Sequence, residues 1–182
     1  MIGVAYTRDP EVVHRLKPEP ITATEAAAQA EIDDLDFEIV RHKLEMIAQE
    51  GKETTMKLGA SNGMRWGDVA FGIYTAQGDV AVVATGIWFH AVLGQIPVKY
   101  IVKHWVDNPT VGVKPGDSFF FNDPYICGVH PADMGLVIPV FHGDTLVCFV
   151  GAIVHSGECG ASEPGGTGRG NRTAMSTPAW SR

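Results

Sequence analysis

Apolar residues in the first third of the chain recur at the spacing of a helix. Ile32, Leu35, Ile39, Met46 and Ile47 fall on one side and Glu38, Arg41, Lys43 and Glu45 fill the other, which predicts a long amphipathic helix over residues 32–58 with a weak point at Gly51. Ahead of it lie Pro10, Pro18 and Pro20 and then an alanine-rich patch from residue 23 to 30, the pattern of an arm followed by a helix start. Thr22 or Thr24, with Glu25 close behind, supplies the cap.

Beyond Ser61-Asn62-Gly63, a turn, the period changes. Residues 69–74 and 80–84 are short apolar runs around Gln77-Gly78-Asp79, the pattern of a β-hairpin with both strands buried. Residues 95–106 return to helical spacing through Ile96, Tyr100, Val102 and Trp105, and Asn108-Pro109 stops the helix. Lys114-Pro115-Gly116-Asp117 is a turn before the apolar strand 118–121. Two more runs, 135–141 and 145–155, flank His142-Gly143-Asp144 and form a further hairpin. The predicted class is α+β, with antiparallel hairpins, a long N-terminal amphipathic helix and a second helix.

Composition bounds this picture without changing it. A chain of 182 residues, 45% hydrophobic and 19% charged, has enough apolar matter for one good core. A net charge of -7 with no Lys/Arg run argues against a nucleic-acid or anionic-membrane surface. No apolar run reaches membrane-spanning length and the start has no export pattern, so the expected setting is the cytoplasm. Cys127, Cys148 and Cys159 are widely spaced without a CxxC, and are read as free thiols.

The chemistry concentrates in Asn122-Asp123-Pro124-Tyr125-Ile126-Cys127-Gly128-Val129-His130-Pro131-Ala132-Asp133 and in His155-Ser156-Gly157-Glu158. With residues 142–144 as the hairpin loop, His155 falls opposite Pro131 and on the same face as Asp133, and His130 sits in the turn beside them. Two imidazoles and a carboxylate can hold Mn, Fe or Zn with coordination positions left open for substrate. The spacing allows equally for a turn-stabilising His130–Asp133 hydrogen bond and a satisfied histidine at a strand end. Glu158 is a candidate general base or supporting partner of the metal ligands, and Asp123 either an Asx turn or an orienting carboxylate for a ligand histidine. His14, His42 and His142 read as solvated, and His90 and His104 as packed.

At residues 121–135 and at Ile153-Val154-His155-Ser156-Gly157-Glu158 the chain resembles the hydantoinase B/oxoprolinase family, and within it the alpha subunits of acetone carboxylases. The resemblance runs from about Asp33 to Gly166. It implies a manganese site at His130, Asp133 and His155, and an ATP-dependent carboxylation of acetone with bicarbonate to acetoacetate, ATP going to AMP and phosphate. It further implies ATP bound on a hydantoinase A-like beta subunit, and a gamma subunit in the complex. ATP-dependent opening of hydantoin or oxoproline rings is the related alternative, and an inactive, partner-binding remnant the non-enzymatic one. Such subunits are several times longer, so the expected organisation is an arm over 1–30, an incomplete metal-binding region over 31–166 and an atypical tail over 167–182.

Overall fold

The computed structural model describes residues 9–13, 15–126 and 128–157. Five strands form one antiparallel sheet: β1 (Val69–Thr75), β2 (Val80–Thr85), β3 (Phe119–Phe121), β4 (Asp133–His142) and β5 (Thr145–His155). Their spatial order is β2-β1-β5-β4-β3, so the last strand in sequence sits in the centre. Both predicted hairpins form, and β5 joins them by pairing with β1 as well as β4. Strand β2, expected to be buried, lies at the sheet edge and is mostly half-exposed.

The register of the β4–β5 hairpin differs from the expected one. Its loop is two residues, with His142 paired to Thr145, and a bulge next to Val140 shifts the pairing once more. Asp133, rather than Pro131, therefore lies opposite His155. Side chains alternate with period two, so the shared face of Asp133 and His155 survives the correction.

One face of the sheet carries the core. Tyr74, Val137, Phe149 and Ile153 pack there with Phe119 and Phe121, and are covered by helix α6 (Gln95–His104) through Ile96, Val98, Tyr100 and Ile101. A short helix α5 (Trp88–Leu93), not foreseen from the sequence, precedes α6. Another, α1 (Pro10–Val13), lies against α6, with Asp9 Oδ2 2.7 Å from His104 Nε2 and 2.6 Å from Lys103 Nζ.

The opposite face is partly covered. Helix α2 (Ala23–Glu31) opens on a capping box between Thr22 and Glu25 and ends at Ile32, and α3 (Asp34–Leu58) starts afresh with Asp33 as its cap. Helix α3 lies across β1 and β2 and continues through Gly51. A Cβ at that position would come within 2.7 Å of the Phe71 ring, so Gly51 marks the crossing point rather than a break. The apolar residues that defined its predicted inner side, among them Leu35, Ile39, Met46 and Ile47, remain exposed, and Ala48 is the buried contact. Small residues bring this helix to the sheet, while its large apolar side chains point elsewhere.

Candidate metal centre

At the open end of the β4–β5 hairpin, strand pairing sets Asp133 beside His155. His130 belongs to the turn that feeds β4, closed by the Asp133 N–H donating to the His130 carbonyl at 3.0 Å. The Nε2 atoms of His130 and His155 are 3.1 Å apart, and one ligand atom from each of His130, Asp133 and His155 lies within 4.8 Å of the others. Asp133 is 1% exposed and the two imidazoles are half-buried.

The backbone holds this group from several sides. Val129 N–H donates to Asp133 Oδ2 at 2.6 Å and His130 N–H to the same oxygen at 3.4 Å, which fixes the carboxylate and leaves Oδ1 facing inward. Gly128 makes that turn possible: its φ is +93°, and a Cβ there would lie 2.7 Å from Asp133 Cβ. On the other side, His155 N–H donates to the Asp68 carbonyl at 3.0 Å, and Ser61 Oγ donates to the His155 carbonyl at 2.8 Å. Ser61 is the cap of a short helix α4 (Asn62–Arg65), so the segment read as a plain turn is a support for His155.

Donor chemistry tests whether a cation suits this place. Asp133 Oδ1 is buried without a hydrogen-bond partner, a costly state for a carboxylate oxygen inside a protein. Two nitrogens 3.1 Å apart can both reach one ion at roughly 2.1 Å. One local change accompanies loading. The His155 Nδ1 accepts from Gly157 N–H at 3.1 Å, which puts the proton of the neutral ring on Nε2. Coordination through Nε2 moves that proton to Nδ1, and the Gly157 N–H then has to turn away. With that adjustment, two imidazoles and an inward carboxylate oxygen fit a divalent ion of the Mn, Fe or Zn type.

The other predicted residues separate clearly. Asp123 is buried and its Oδ1 accepts from Tyr125 N–H at 2.9 Å, the Asx turn of the Asn-Asp-Pro segment. Glu158, Cys127, Cys159, His14 and the 167–182 tail lie outside the described residues. Cys148 is a free thiol, and burial pushes its pKa up, away from the reactive thiolate. His42 and His142 are exposed, and His104 is held by Asp9.

Sequence reasoning missed two residues that stand behind the triad. His90 is fully buried, as expected of a packed histidine, but its Nε2 is 3.0 Å from Asp68 Oδ1 and 3.8 Å from Asp133 Oδ1. A signal existed in the β1–β2 hairpin: Ala70 pairs with Thr85, so its two ends bring residue 68 to the start of α5.

Comparison with known proteins bears on this geometry. The family model for hydantoinase B/oxoprolinase matches residues 33–176, past Gly166 where the motif resemblance ends. The chain is 34% identical over 151 residues to the acetophenone carboxylase delta subunit of Aromatoleum aromaticum, covering 83% of this chain and 22% of that protein. It is 34% identical over 123 residues to the acetone carboxylase alpha subunit of Xanthobacter autotrophicus, covering 66% of this chain and 16% of that one. A nucleotide-free acetone carboxylase structure superposes with a TM-score of 0.60 at 32% identity, over 69% of this chain and 17% of the other. The chain thus spans about a fifth of the length of these relatives. In sequence and in fold it belongs to the hydantoinase B/oxoprolinase family.

Proposed function

We propose that this chain carries the metal centre of an ATP-dependent ketone carboxylase, as part of an alpha-type subunit that converts acetone and bicarbonate to acetoacetate while ATP goes to AMP and phosphate. The observation that carries this reading is the convergence of His130, Asp133 and His155, with the buried Asp133 Oδ1 unpartnered, on a chain 34% identical to two ketone carboxylase subunits. Manganese is the assigned ion, with Fe or Zn as its competitors. Held by His130, Asp133 and His155, it would supply Lewis acidity that stabilises negative charge developing on a substrate oxygen.

The chain's own residues have distinct tasks in this reading. His130 and His155 present their Nε2 atoms from opposite sides of one small space. Asp133 offers Oδ1 because Oδ2 is engaged by backbone N–H groups. Glu158, three residues after His155, is proposed as the general base, and Asp123 as a positioning residue of the turn that carries His130. ATP binds on a beta, hydantoinase A-like subunit, and a gamma subunit completes the complex, in the cytoplasm. Among the described residues no helix is long and apolar enough to cross a membrane.

Metal analysis of the chain, followed by assay of its complex with partner subunits on acetone plus bicarbonate and on cyclic amides, tests the proposal. Bound Mn and formation of acetoacetate are expected. Ring opening of hydantoin or oxoproline would move the chain to the hydrolase branch of the family. A complex that binds neither metal nor substrate would make it a partner-binding remnant.

A further inference from the structure

The site just described leaves Asp68 and His90 without a task, although both touch it. His90 is fully buried, and its Nε2 faces two carboxylates: Asp68 Oδ1 at 3.0 Å and Asp133 Oδ1 at 3.8 Å. Its Nδ1 is buried without a partner, so the ring gains no polar contact from that side. A histidine in this position is costly to bury, and its polar return is the hydrogen bond with Asp68, while Asp133 Oδ1 lies beyond hydrogen-bond distance.

Asp68 is tied to the triad twice. Its carboxylate takes His90, and its carbonyl takes the N–H of His155. The residue therefore fixes one metal-ligand candidate through the main chain, and reaches the other, Asp133, through the His90 ring. Asp133 Oδ2 already has two backbone N–H donors, so Oδ1 is the oxygen whose direction depends on side chains. The His90 Nε2 stands 3.8 Å from it.

We propose that His90, held by Asp68, is a positioning residue that aims Asp133 Oδ1 at the metal. The proposal rests on the metal reading above and extends it to two residues from β1's leading edge and α5. His90 does this by its place and by the direction in which Asp68 holds its N–H, not by a hydrogen bond to Oδ1, and losing a residue that supports a metal ligand from outside costs about 10- to 100-fold in metal affinity.

The test uses the 182-residue chain and measures Mn2+ affinity by isothermal titration, with the Mn2+ electron paramagnetic resonance line shape as a second readout. His90→Phe keeps a buried ring of similar size but removes the N–H, and His90→Gln restores an N–H near the Nε2 place. The expected result is roughly 10- to 100-fold weaker Mn2+ binding and an altered line shape in His90→Phe, substantial recovery in His90→Gln, and several-fold weakening in Asp68→Asn. Equal affinity in wild type and His90→Phe would overturn the proposal. So would equal weakening in His90→Phe and His90→Gln, which would mean that ring packing matters and the N–H does not. If His90→Phe fails to fold, Asp68→Asn decides, since wild-type affinity there removes the anchor from the argument. Absence of Mn2+ binding in the wild type would instead refute the metal reading itself.

Discussion

Asp9 and Asp133 each sit beside histidines, and they live in opposite circumstances. Asp9 has its needs met: Lys103 Nζ and His104 Nε2 approach Oδ2 at 2.6 and 2.7 Å, and Glu11 N–H donates to Oδ1 at 3.0 Å. Asp133 is more deeply buried, and it has backbone donors on Oδ2 and no hydrogen-bond partner on Oδ1. At Asp9 the chain provides the cation itself, in Lys103. At Asp133 the surrounding residues are imidazoles, good ligands without a fixed positive charge. The first arrangement fastens a segment to a helix. The second has room for a positive charge from outside, which is why the metal reading attaches to it.

The largest expected effect separates the two directly. Asp133→Asn, or His130→Ala with His155→Ala, should weaken Mn2+ binding by on the order of 100-fold or more, since a metal ligand is lost rather than a neighbour of one. Asp9→Asn should leave Mn2+ affinity unchanged. In wild type, Mn2+ at 100 times its dissociation constant should add about 2.7 kcal/mol to stability, and in the double histidine variant almost nothing. Thermal melts with and without the ion check both. Equal stabilisation of wild type and variant would place the ion elsewhere.

A smaller effect is expected where backbone shape, rather than a ligand, is changed. Gly128→Ala forces a side chain into positive φ and against Asp133 Cβ, at a cost of about 1–3 kcal/mol. Because this turn supplies both N–H donors to Asp133 Oδ2, Mn2+ affinity should fall along with the melting temperature. A stability loss with unchanged affinity would show that Asp133 is aligned without help from the turn. No effect on the Asp9 cluster is expected in either case.

How far the sequence reveals this depends on whether a feature is local. The hairpins, the Thr22–Glu25 capping box and helix α6 follow from period and cap chemistry, which neighbouring residues carry within themselves. His130, Asp133 and His155 are also legible, because a side-chain period of two kept Asp133 and His155 on one face although the assumed register was wrong. Pairing of β5 with β1 is not local, and neither is the contact of His90 with Asp68 across 22 positions. The α3 surface fails for a different reason: helical spacing identifies an apolar side but not what it faces, and here Ala48 and Gly51 meet the sheet instead.

The smallest expected effect concerns Asp9 and pH. The Lys103 ammonium, its strongest partner, and the His104 imidazole hold the Asp9 carboxyl at about 2, against an ordinary 3.8, despite the opposing effect of burial. A folded-state value below the unfolded one means the stabilisation is complete above pH 4 and lost as pH falls toward 2. Because the cluster is partly open to solvent, its contribution is about 1 kcal/mol rather than the full amount implied by the shift. Other carboxylates titrate over the same range, so the informative quantity is the difference in unfolding free energy between wild type and Asp9→Asn. Urea melts should give about 1 kcal/mol at pH 6, shrinking toward zero by pH 2. A difference that stays constant over that range would mean that Asp9 contributes through shape rather than charge, and the contrast with Asp133 would then lose its electrostatic half.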